Sequence, residues 1–237
     1  MLFSGFKHKV AVVLAPHADD EILGAGGFIS KARATGWEID LLFATVSGYS
    51  SLQRDDRSGT ESRISEVKRA MGVSGARDFA VFNQHASGAG PHLRLDCVPQ
   101  IELITFIETY LKASRPSIAI IPSRAHYHQD HRAFADAAMT ALRPAPEHIL
   151  PFVPVVLAYG HAAAGWGPAP DFKPNFFVDI TEYIDTKIRA LACYESQLCD
   201  PPHPRSLEAV RQNAAAWGAL TGTRYAEPYE CLRCVWQ

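Results

Sequence analysis

The chain has 237 residues, 47% of them hydrophobic, a formal net charge of -2 and five cysteines; it has enough apolar material for one substantial core and lacks the basic field that nucleic acid demands. No apolar stretch approaches the roughly 20 residues needed to cross a bilayer, and the first, residues 10–15, is too short for the apolar part of a secretory signal. An odd number of cysteines argues against a disulfide framework, so we expect one domain over residues 1–237, working in the cytoplasm with neither a nucleic-acid partner nor a membrane span.

Short apolar runs at 10–14, 39–44, 79–82 and 118–121 predict strands, and the longer amphipathic stretches at 22–34, 60–71 and 98–112 predict the helices between them. In the third helix, Leu103, Phe106, Ile107 and Tyr110 repeat at i, i+3, i+4 and i+7, with Glu102 and Glu108 turned elsewhere. A fourth helix is expected to be N-capped near Asp130 and to run along Phe134 and Ala138 to Leu142. The four prolines within 143–154 read as a surface connection. Strands at 155–159 and 176–180 and a helix at 181–194 follow; Pro201, Pro202 and Pro204 break the chain, and Ser206 caps a last helix leading to Trp217. If 229–236 is a strand, Cys231 and Cys234 point to opposite faces and chelate poorly. Strands alternating with helices predict an α/β fold with a parallel sheet, whose ligands collect at the carboxyl ends of the strands.

Two polar clusters fall at such ends. The first, Pro16-His17-Ala18-Asp19-Asp20-Glu21, crowds three carboxylates against a histidine at a strand-to-helix corner. Like charges within about 4 to 6 Å oppose joint ionisation, and a cation removes that cost. Helix capping accounts for one or two of the acids but leaves His17 without a role. The second cluster, His126-Tyr127-His128-Gln129-Asp130-His131, places three histidines in six residues beside the next strand end. Neutral imidazole is a zinc ligand, and a helix N-terminus disfavours its protonated form. Catalytic zinc takes three protein ligands and keeps one position for water. Two histidines and a carboxylate satisfy that pattern. Asp19 is then left to accept a proton, His128 to donate to the leaving amine or the developing oxyanion, and Asp130 to orient a histidine.

At these residues the sequence resembles the PIG-L and LmbE-like zinc-dependent N-deacetylases. Their AHPDDE motif appears here as PHADDE, and their HxDH motif as His128-Gln129-Asp130-His131. Further family-like runs are Pro-Asn-Phe-Phe-Val-Asp-Ile-Thr from Pro174, Tyr194-Glu195-Ser196-Gln197, and Tyr225-Ala226-Glu227-Pro228-Tyr229. The resemblance implies a Rossmann-like three-layer sandwich with a mostly parallel sheet. It also implies His17, Asp20 and His131 as ligands of one Zn²⁺, Asp19 as general base and His128 as acid or electrophilic partner, in amide hydrolysis on an N-acetylated sugar. Family members often carry a substrate-facing arginine and glutamate near the second helix. Arg57, Glu61, Arg63 and Glu66 compete for those places here, and Arg57 is the expected substrate contact. Oligomerisation is left open.

Two other readings are weaker. A non-haem iron oxygenase also uses two histidines and a carboxylate, but it leaves Asp19 and His128 idle. A nucleotide-binding module is suggested by Gly24-Ala25-Gly26-Gly27, yet Ile29 stands where the fingerprint needs its third glycine, and the acids of the corner repel a pyrophosphate. These glycines are instead expected to let the first helix pack closely on the sheet.

Overall fold

The computed structural model describes residues 5–6, 8–46, 60–82, 94–160 and 172–235. Seven strands form one sheet: β1 (Val10–His17), β2 (Glu38–Thr45), β3 (Asp78–Val81), β4 (Ile118–Pro122), β5 (Val155–Tyr159), β6 (Phe176–Asp179) and β7 (Ala226–Cys234). Their order is β3-β2-β1-β4-β5-β7-β6. The first five are parallel, and β7 runs antiparallel to both of its neighbours. Among the described residues, six helices flank the sheet: α1 (Asp20–Ala34), α2 (Thr60–Ser74), α3 (Gln100–Ser114), α4 (Gln129–Ala141), α5 (Ile184–Ala192) and α6 (Leu207–Thr221).

Alternation along the strands sorts the core into two layers. Ala11, Val13 and Ala15 of β1 pack with Leu23 and Phe28 of α1, Val67 of α2 and Leu191 of α5. Val12 and Leu14 face the other way, against Leu103 and Ile107 of α3 and Phe134 of α4. The result is the expected three-layer α/β sandwich. Gly24 lets α1 approach the sheet, because a Cβ there would lie 2.1 Å from the Tyr159 ring. Strand order reverses between β1 and β4, which pair directly, so the carboxyl ends of these two strands open the crevice where such folds bind ligands.

Three expectations need correcting. Helix α4 is capped by His128, whose Nδ1 accepts the Asp130 N–H at 3.2 Å, and Asp130 lies in the first turn. Helix α5 is shorter than 181–194 because residues 181–183 form a turn closed by the Tyr183 N–H on the Ile180 carbonyl. In β7 an irregularity opposite Val156 and Leu157 skips Leu232, pairing Cys231 with Leu157 and Cys234 with Val155. Those partners are two residues apart, so both cysteines share one face of the sheet. They are free thiols, as are Cys97, Cys193 and Cys199. Among the described residues no helix is long and apolar enough to cross a membrane.

Candidate metal centre

His17 is the last residue of β1, in register with Thr45 of β2. The chain then turns sharply: Asp19 takes φ 118°, in the left-handed region that costs a side-chain-bearing residue about 1–3 kcal/mol. That turn aims Asp20, the first residue of α1, back at the strand end. Asp20 Oδ2 accepts the His17 backbone N–H at 3.0 Å and lies 3.3 Å from His17 Nδ1 and 3.2 Å from His131 Nε2. His131 arrives from the first turn of α4, beyond β4.

These three side chains offer donor atoms within 4.8 Å of one another. A tetrahedral Zn²⁺ with bonds of about 2.0–2.1 Å has edges of about 3.3–3.4 Å, so the two contacts to Asp20 already have the required span. His17 Nε2 meets Asp130 Oδ2 at 3.1 Å, and Asp130 Oδ1 accepts the Leu95 N–H at 3.1 Å. A ring nitrogen facing the donor set while its opposite nitrogen binds a carboxylate is the arrangement that orients metal-ligating histidines. The residues fit a divalent ion.

The electrostatics also call for a cation. Burial pulls the His17 pKa down, but hydrogen bonds to Asp130 and Asp20 outweigh it and lift the value to about 9. Two carboxylates therefore retain positive charge at this ring, and a metal would replace its proton. For His128, burial followed by the nearby charges of His17 and His131 depresses the pKa to about 4. This ring is neutral at physiological pH. Because its Nδ1 accepts the Asp130 N–H, its proton sits on Nε2, leaving that nitrogen a donor.

Asp19 is buried, with Oδ2 bound by the Arg205 guanidinium. Its Oδ1 is also buried, with no hydrogen-bond partner among the described residues. Arg205 lies 186 residues along the chain, and nothing local in the sequence marks it. Glu21 is equally hidden: Asp19 N–H donates to its Oε2 at 2.9 Å, and the Tyr194 hydroxyl donates to its Oε1. Burial is the main force lifting the Glu21 pKa to about 8.

Arg63 and Glu66, which competed for a substrate-facing place, are buried instead. Arg63 donates to the Ala18 carbonyl, to Glu66 Oε2 at 2.9 Å and to Ser196 Oγ at 2.9 Å, tying the acid corner to the Tyr194-Glu195-Ser196-Gln197 run. Arg57, the expected substrate contact, lies outside the described residues.

Residues 12–142 match the family model described as PIG-L: GlcNAc-PI de-N-acetylase. The diacetylchitobiose deacetylase of Thermococcus kodakarensis is 28% identical over 92% of this chain and 81% of its own length. The solved N,N'-diacetylchitobiose deacetylase of Pyrococcus horikoshii superposes with a TM-score of 0.75 at 22% identity, covering 96% of this chain and 85% of that one. A 4-carboxy-2-hydroxymuconate hydratase from Pseudomonas putida also superposes, with a TM-score of 0.68 at 18% identity over 96% and 98% of the two chains. The last two likenesses concern fold alone, and a shared fold does not select a reaction.

Proposed function

Since this chain belongs to the PIG-L family, whose model covers 12–142, we propose that it is a zinc-dependent deacetylase that removes the N-acetyl group from an amino sugar or sugar-containing metabolite. The observation carrying this reading is the convergence of His17, Asp20 and His131 beside a buried aspartate, one oxygen of which has no hydrogen-bond partner among the described residues. When bound there, the ion supplies Lewis acidity and lowers the pKa of water towards about 7.

The chain's own groups divide the remaining work. Arg205 holds one oxygen of Asp19, leaving Oδ1 to take a proton from the attacking water and return it to the leaving nitrogen. Water adds to the amide carbon, the C–N bond breaks, and acetate and a free amine leave. His128 Nε2–H donates to the oxygen on which negative charge develops. Asp130 holds the His17 ring in position. The neutral state of His128 favours this donor role over that of an imidazolium acid.

We place the enzyme in the cytoplasm, a reading supported by the free cysteines among the described residues, and take residues 1–237 as one domain. Arg57 remains our proposed substrate contact, with a small N-acetylated sugar as its partner. The test is amine release from a panel of N-acetylated sugars by zinc-loaded and chelated protein. Release that stops on chelation and returns with zinc supports the proposal; no release from any substrate refutes it.

A further inference from the structure

We propose that His126 is a positioning residue that holds the His131 ring at the angle needed for metal coordination. This rests on the proposed metal seat at His17, Asp20 and His131, and goes beyond it by giving a role to the histidine of the second cluster to which the proposed mechanism assigns none. The His126 and His131 rings lie face to face, with centroids 3.8 Å apart and planes 11° from parallel. Tyr127 stacks on His126 at 5.0 Å and 24°. His126 is thus in ring contact with both neighbours, and His131 in turn lies beside Asp20.

The His126 ring is held in place. His126 is 6% exposed. Its Nδ1 accepts the His128 N–H at 3.0 Å, and Arg132 Nη1 donates to its carbonyl at 3.0 Å and also to the carbonyl of Tyr127. An imidazole coordinates through a lone pair in its own plane, so tilting the ring misdirects the donor. A parallel neighbour at 3.8 Å blocks that tilt while permitting motion in the plane. His131 has its Nε2 3.2 Å from Asp20 Oδ2, close to one edge of a tetrahedral ion, so its aim must be held to a fraction of an ångström.

Two variants separate the flat face from the hydrogen bond. His126→Phe keeps the face and loses the Nδ1 acceptor; His126→Asn keeps a short acceptor and loses the face. The readouts are Co²⁺ affinity by chelator competition and the visible d–d spectrum of the cobalt-loaded protein, each with a melting curve as a folding control. His126→Phe should bind within about twofold of native with an unchanged spectrum. His126→Asn and His126→Ala should bind about 2- to 12-fold more weakly, the effect of one aromatic stack, with a shifted spectrum. Native affinity and spectrum in His126→Asn, or damage in His126→Phe equal to that in His126→Asn, would overturn the inference. Failure of the native protein to bind cobalt would overturn the metal seat itself, and the inference with it.

Discussion

Replacing Glu21 by Gln should stabilise the metal-free protein, and do so only at higher pH. Glu21 is fully buried, accepts from Asp19 N–H at 2.9 Å and from the Tyr194 hydroxyl, and has its pKa raised from 4.5 to about 8. Between those values the folded protein keeps a proton that the unfolded chain releases, so stability falls as pH rises through this window and levels off above about 8. At about 1.4 kcal/mol per pH unit, the accumulated loss near pH 8 is about 4 kcal/mol. Glutamine is neutral throughout: its carbonyl accepts from Asp19 N–H, and the Tyr194 hydroxyl turns from donor to acceptor to meet the amide, as it does for the protonated acid. Urea unfolding in the presence of a chelator should find Glu21→Gln within about 1 kcal/mol of native at pH 5 and about 4 kcal/mol more stable at pH 8. A difference that is the same at both pH values, or a glutamine variant less stable at pH 8, would refute burial of an ionisable proton as the cause.

Asp19→Asn should keep its zinc, because His17, Asp20 and His131 are untouched, while kcat drops about 10²- to 10⁴-fold, the usual contribution of a general base; metal analysis beside steady-state kinetics checks both halves. Arg205→Met leaves the Asp19 carboxylate buried without its counter-charge and should lower kcat by about tenfold or more with KM nearly unchanged, whereas Arg205→Lys should recover part of the loss. Gly24→Ala drives a methyl to 2.1 Å from the Tyr159 ring, an overpacking that costs about 1–3 kcal/mol and is read as a fall in melting temperature.

The legible parts of this molecule are those written in consecutive residues. Strands β1, β2, β4 and β5 bury side chains on both faces, as parallel sheet flanked by helices requires, and each stands out as a short apolar run. The acid corner and the histidine cluster are equally local, and the strand order alone brings them together. Ser206, which accepts the Ala209 N–H at 3.1 Å, caps α6 as its type suggests.

What the sequence conceals are contacts between distant positions. Arg205 reaches Asp19 across 186 residues and Tyr194 reaches Glu21 across 173. Glu227 accepts the Gly27 and Phe28 N–H groups of α1, each at 2.7 Å, and bonds Lys187 at 2.7 Å. Arg205 carries no local pattern that sets it apart from a surface charge, and the family-like runs that hold Tyr194 and Glu227 do not say what those residues touch. Asp130 misleads for a related reason: aspartate is a favoured N-cap, but His17 and Leu95 draw its carboxylate into the site, and His128 takes the capping position instead. The bulge at Leu232 reverses the expected facing of Cys231 and Cys234 because one inserted residue shifts the alternation, and nothing in the lettering of that strand announces it.

On the proposed reading, one ion joins two chain-distant histidines to an aspartate at the reversal of strand order. A crystal of the zinc-loaded protein, measured at wavelengths on either side of the zinc absorption edge, locates the ion directly. We predict one anomalous peak about 2.0–2.2 Å from His17, Asp20 and His131, next to Asp19. A peak elsewhere with these three side chains unliganded, or no bound zinc at all, would contradict it.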